Sequence, residues 1–122
     1  MSRSDDVVRL HHILDAATKA LSILGERSLE QLRASERDRL AIERLLEIVG
    51  EAANHVSPTT MARLDGLPWR DMIDMRNVVI HAYFDIELET VWKTVTDDLP
   101  AVIAILRGEL RPDDSGGLLD KE

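Results

Sequence analysis

A chain of 122 residues, 44% of them hydrophobic, has room for one domain with its own core. The absence of cysteine excludes disulfides and thiolate metal sites. The formal net charge of -8 argues against tight, sequence-indifferent binding of long duplexes, but ten acids against four bases from residue 85 onward carry most of it.

The opening Met1-Ser2-Arg3-Ser4-Asp5-Asp6 lacks the apolar block of a signal peptide, and no apolar run approaches the roughly 20 residues that cross a bilayer; a soluble, cytoplasmic protein is expected. Val7, Leu10, Leu14, Ala17, Leu21 and Leu24 recur three and four apart, which predicts a helix over 5–24 with Gly25 as its stop. Ser28-Leu29-Glu30-Gln31 has the pattern of a capping box and fits one helical turn, and Ser35-Glu36-Arg37-Asp38 repeats it loosely. Ile42, Leu45, Val49, Ala52 and Val56 predict a second helix over 36–56, in which small Gly50, Ala52 and Ala53 suit the close approach of a neighbouring helix. Ser57-Pro58 ends it, and a loop is expected over 57–67.

Pro68 fits the first position of a third helix, which carries Trp69, Met72, Ile73 and Met75 and continues from Arg76 to Phe84. Asp85 caps a fourth, with Glu87 and Glu89 in its first turn and Leu88, Val91, Trp92, Val95 and Leu99 as its apolar positions. Pro100 is expected to kink or divide that helix before Val102, Ile103, Ile105 and Leu106 resume the apolar face. Residues 111–122 lack periodicity and are read as a disordered acidic tail, which leaves 1–110 as the folded domain. The short β-branched run Val78-Val79-Ile80 lies inside a helical period. An all-α up-down bundle of four to five helices follows, or one completed by a second copy of the chain.

His11 and His12 are adjacent and point about 100° apart, so they do not chelate; with no cysteine and no histidine pair four apart, neither a metal nor a cofactor is expected. Arg76, Asn77, His81 and Tyr83 gather a guanidinium, an amide, an imidazole and a phenol within eight residues. Metal-free RNA cleavage needs such groups: an imidazole to move a proton at the ribose 2′-hydroxyl or the leaving oxygen, and a guanidinium to clamp the phosphate. On an ideal helix Arg76 and His81 point about 140° apart. Reach by a long arginine, loosening near the helix end, or a second subunit each reconciles that angle with a shared site. Glu47 and Glu51, four apart on the second helix, either steady Arg76 or form a solvated stripe. Trp69 and Trp92 read as core or interface anchors rather than base-stacking platforms.

The stretch from Pro68-Trp69-Arg70-Asp71 through Arg76-Asn77-Val78-Val79-Ile80-His81-Ala82-Tyr83 to Asp85-Ile86 resembles the signature of the HepT-like toxins, members of the HEPN superfamily. Upstream, Ile48-Val49-Gly50-Glu51-Ala52-Ala53 is similar to that family's Ile-Gly-Glu-Ala block, and Val91-Trp92-Lys93 and Asp98-Leu99-Pro100 match its downstream pattern. The likeness covers about residues 7–110.

The resemblance implies a HEPN helical bundle that dimerises, with clefts at the dimer interface where the Arg and His of both chains converge. It implies a metal-independent endoribonuclease, with RNA as substrate, that is the toxin of a toxin–antitoxin pair. The implied partner is an MntA-type minimal nucleotidyltransferase antitoxin, which places AMP on the motif tyrosine. Carried over by position, Arg76 and His81 are the catalytic pair, Asn77 supports them, and Tyr83 is the acceptor of AMPylation. The competing expectation is a non-catalytic HEPN module that docks beside a nucleotidyltransferase.

Overall fold

The three-four spacing becomes helices throughout the residues that the structure, a computed structural model, describes: 3–77 and 85–110. The first helix, α1 (Arg3–Leu24), buries Leu10, Ile13, Ala17 and Leu24. It stops at Gly25, whose φ of 55° lies in the left-handed region open to a residue without Cβ, and whose N–H donates to the Leu21 carbonyl at 2.8 Å. The expected capping box forms. Ser28 Oγ accepts from the Gln31 N–H at 3.2 Å, and Gln31 Oε1 accepts from the Ser28 N–H at 2.9 Å, which starts α2 (Leu29–Arg33). Ser35 Oγ accepts from the Asp38 N–H at 3.3 Å and opens α3 (Glu36–Asn54), whose inner face carries Ile42, Leu46, Val49 and Ala53.

The stretch 57–67, expected as loop, instead contains α4 (Pro58–Arg63). Ser57 is held extended by the proline after it, and an N-cap needs that same conformation, so the pair that ends one helix also starts the next. Pro68 stands as the N-cap of α5 (Trp69–Asp74) rather than as its first helical residue. The chain then tightens into a 3-10 turn, Met75–Asn77. The expected run of this helix through 78–84, and the tail at 111–122, lie outside the described residues.

The expected division of the fourth helix near Pro100 takes the form of a widened turn just before it. A π turn (Thr94–Asp98) joins α6 (Asp85–Lys93) to α7 (Leu99–Glu109), with the Leu99 N–H reaching back to the Thr94 carbonyl. Proline lacks an N–H for the carbonyl four residues before it and crowds that carbonyl with its ring; one wider turn absorbs both effects.

Polar clamps close both ends of the bundle. Asp6, only 3% exposed in the first turn of α1, accepts hydrogen bonds from the Ser57 N–H (3.0 Å), the Ser57 hydroxyl (2.5 Å) and the Thr60 hydroxyl (2.6 Å). This ties the start of α1 to the end of α3, so the two run antiparallel. Arg63 pairs with Glu109, bringing the end of α7 to α4. At the other end Arg27 pairs with the buried carboxylate of Asp38. Between the clamps α1, α3 and α7 enclose a core that includes Leu10, Ile13, Leu46, Val49, Leu99 and Leu106. No described helix is long and apolar enough to cross a membrane.

The clamp at Asp6 titrates. Burial alone raises its carboxyl, but the hydrogen bonds from Ser57 and Thr60 outweigh burial and hold it below its ordinary 3.8. A carboxyl whose pKa is lower folded than unfolded stabilises the fold above the unfolded value and loses that contribution as pH falls through the folded one. Asp6→Asn is therefore expected to lower stability at pH 7 by about 1–3 kcal/mol. In urea melts at successive pH values, the gap to wild type should close below pH 3.8.

Candidate active site

Three anchors hold the segment that carries the candidate arginine. Trp69 Nε1 donates to the Leu64 carbonyl at 2.9 Å, Met72 is fully buried, and Met75 is almost so. With these in place the next two residues of the turn, Arg76 and Asn77, are left exposed. Arg76 has no hydrogen-bond or ion-pair partner among the described residues. A guanidinium kept in water beside a rigid turn is free to take a phosphate bidentately.

The turn is pressed against α3 at one position. A Cβ on Gly50 would stand 2.7 Å from Arg76 Cα, 2.8 Å from Arg76 Cβ, and closer still to the Arg76 amide nitrogen. The sequence had marked Gly50 as a place for a close neighbour. The neighbour is the backbone of the candidate catalytic residue itself. A glycine inside an amphipathic helix is unfavourable by about 1 kcal/mol relative to alanine, which is the signal that a packing reason exists.

Among the described residues Glu47 and Glu51 pair within α3 rather than with Arg76. Glu47 lies 4.0 Å from Arg44, and Glu51 lies 3.5 Å from His55, whose Nδ1 is also 2.8 Å from the Glu51 carbonyl. These carboxylates serve the surface of α3, as a solvated stripe does, and among the described residues neither pairs with Arg76. His81 and Tyr83 lie outside the described residues. Over Met75–Asn77 the backbone is a 3-10 turn, which advances about 120° per residue rather than the roughly 100° of an ideal α-helix.

Beside the turn opens a cleft of about 290 Å³, floored by Leu46, Met75 and Val91 and rimmed by Asp71, Asp74 and Asp98. Its carboxylates repel phosphate, so an anionic strand is favoured at Arg76 and disfavoured in the cleft. Among the described residues no group of three or more His, Asp or Glu side chains is placed to hold a metal ion.

The sequence pattern of the family described as "Ribonuclease HepT-like" matches residues 13–108, from the middle of α1 into α7, and takes in the whole motif from Pro68 to Ile86. The chain belongs to the HepT-like family. Its bundle is accordingly a HEPN bundle. It is 30% identical over 102 residues to "Putative RNase MJ1380" of Methanocaldococcus jannaschii, covering 84% of this chain and 94% of that protein. It is 35% identical over 94 residues to "Probable ribonuclease HepT" of Thermococcus cleftensis, covering 76% and 84%. A third relative, "Putative RNase TTE0752" of Caldanaerobacter subterraneus, is 28% identical over 91 residues, covering 75% and 81%. No solved structure matches.

In this HepT-like chain α6 begins directly after the segment that carries His81 and Tyr83, so whatever fixes α6 fixes where that segment ends. Trp92 does so: it is half-buried, and its Nε1 donates to the Arg27 carbonyl at 3.1 Å. Both tryptophans thus spend their N–H on a backbone carbonyl, the behaviour of an anchor. Trp92→Phe keeps an aromatic ring and removes the donor. It is expected to lower stability by about 1 kcal/mol, seen as a lower urea midpoint at unchanged slope.

Proposed function

We propose that this chain is a metal-independent endoribonuclease toxin in which Arg76 and His81 are the catalytic pair and Asn77 supports them. The observation that carries the reading is the family match across residues 13–108, because it encloses Arg76, Asn77, His81 and Tyr83 in their expected order and spacing. The exposed guanidinium of Arg76, unpaired among the described residues, on an anchored turn supports it.

The chemistry requires no metal. The ribose 2′-oxygen attacks the adjacent phosphorus and the bond from phosphorus to the 5′-oxygen breaks, leaving a 2′,3′-cyclic phosphate and a 5′-hydroxyl. One imidazole takes the 2′-hydroxyl proton, and a proton is delivered to the leaving 5′-oxygen. Arg76 binds the non-bridging oxygens and offsets the charge that builds on them. In this reading two chains pair, so that two imidazoles and two guanidinium groups meet in one cleft.

Regulation acts at the same place. A nucleotidyltransferase antitoxin transfers AMP from ATP to Tyr83. The phenol oxygen bonds the α-phosphorus, its proton is lost, and pyrophosphate leaves. The added phosphate competes for Arg76, brings negative charge and fills the place of RNA. The competing reading, a module that docks without cutting, draws on the net charge of -8 and the acid-rimmed cleft.

Expression of the chain without a partner decides between the readings. Wild type should arrest growth and cleave RNA in EDTA, while His81→Ala and Arg76→Ala, folded by circular dichroism, should lose at least about a hundredfold in rate. Equal, harmless behaviour of all three points to the docking module. Tyr83→Phe should cut RNA at the wild-type rate and fail to take up label from α-labelled ATP with the antitoxin. A folded Tyr83→Phe that does not cleave assigns the phenol to catalysis instead.

A further inference from the structure

We infer that Gly50 is a positioning residue for catalysis: it sets the depth at which the Arg76 turn seats on α3, and through it the place of the guanidinium. The inference rests on the proposed role of Arg76.

The contact is backbone to backbone. The atoms that a Cβ at position 50 would strike are the Arg76 amide nitrogen, Cα and Cβ. None is the far end of a flexible side chain that could swing aside, so relief requires the whole turn to move off the helix. That displacement carries Arg76 directly, because the struck atoms are its own. Gly50 is buried on α3 between Val49, fully buried, and Glu51, exposed, so the helix offers no slack on its inner side.

The turn has few ways to compensate. It is three residues long, Met75 is buried before it, and Trp69 is hydrogen-bonded to the Leu64 carbonyl at the start of the same short helix. A turn pinned at its entry and pushed at Arg76 swings at the residue that matters. Where a charged group must meet a transition state, a shift of about 1 Å from a distant change can cost about a hundredfold in rate. Among the described residues no other glycine approaches a backbone this closely: a Cβ at Gly25 or Gly66 would meet its nearest atom at 3.7 Å or 4.0 Å, and one at Gly108 none within 4 Å.

The test is a double-mutant cycle on the full chain, with cleavage of a fluorophore–quencher RNA as one readout and thermal melting as the other. Gly50→Ala should melt cooperatively and lose about a hundredfold in kcat. In the Arg76→Ala background the same Gly50→Ala change should cost no further activity, because the group it misplaces is already gone. A purely structural glycine gives the opposite result, losses that multiply in the double variant, and that overturns the inference. Full activity in Gly50→Ala, with Arg76→Ala inactive, overturns it too while leaving the proposed function standing. Unchanged cleavage by Arg76→Ala sinks the proposed function itself. If Gly50→Ala shows no cooperative melt, Met75→Ala, which frees the same turn without crowding α3, takes its place in the cycle, with the same two outcomes deciding.

Discussion

The bundle turns on one steric constraint: at Gly50 the backbone of α3 and the backbone of Arg76 lie closer than any Cβ permits. Helix packing through side chains leaves axes roughly 8–10 Å apart, and side chains at that spacing have room to shift. A contact between main chains has none. The short α5 and its 3-10 turn contribute little stability as helices, since six and three residues are well below the length at which helices persist alone. Their position comes from what they are pressed against. Met72 and Met75 fill the core on one side, Trp69 fastens the entry, and α3 supplies the floor. Arg76 and Asn77 stay in water because Met75, the residue before them in the turn, is committed to the core.

The clamps at the two ends of the bundle fix that floor. Asp6 takes three hydrogen bonds from Ser57 and Thr60, and Asp38 takes the charge of Arg27. A buried carboxylate is tolerable only with donors arranged around it, so each clamp also specifies which helices lie side by side. Functional groups held on rigid elements keep their geometry better than groups on loops. Here the residue proposed to meet the phosphate, Arg76, rides on a turn, and the rigidity is borrowed from α3. The acids rimming the neighbouring cleft leave Arg76 as the favoured station for an anionic strand. A chain of net charge -8 can therefore belong to a ribonuclease family.

Much of this was legible in the residues, and the failures have physical causes. Apolar spacing identified α1, α3, α6 and α7 because each buries one stripe, and that stripe leaves a period. Ser28-Leu29-Glu30-Gln31 announced its own cap. The helix α4 was missed because its six residues, Pro58–Arg63, are too few to show a period and are rich in threonine and proline. The effect of Pro100 was half read: proline disturbs a helix, but whether the helix breaks or widens into a π turn depends on the packing on either side. The Asp6 clamp was invisible because its partners, Ser57 and Thr60, lie more than fifty residues away in sequence. The motif around Arg76 was legible through its resemblance to a family, and Gly50 through its small size, which with Ala52 and Ala53 suits a close neighbour. What no spacing could tell was that these two features touch.

In the proposed reaction a 2′-oxygen displaces a 5′-oxygen at one phosphorus, with Arg76 and His81 attending and no metal. The ends of the cut RNA report on that step most directly. Wild-type protein in EDTA should leave 2′,3′-cyclic phosphate and 5′-hydroxyl ends by mass spectrometry, and a single 2′-O-methyl group at the mapped cut should stop cleavage there. Ends bearing a 5′-phosphate, or undiminished cutting at the methylated ribose, would contradict it.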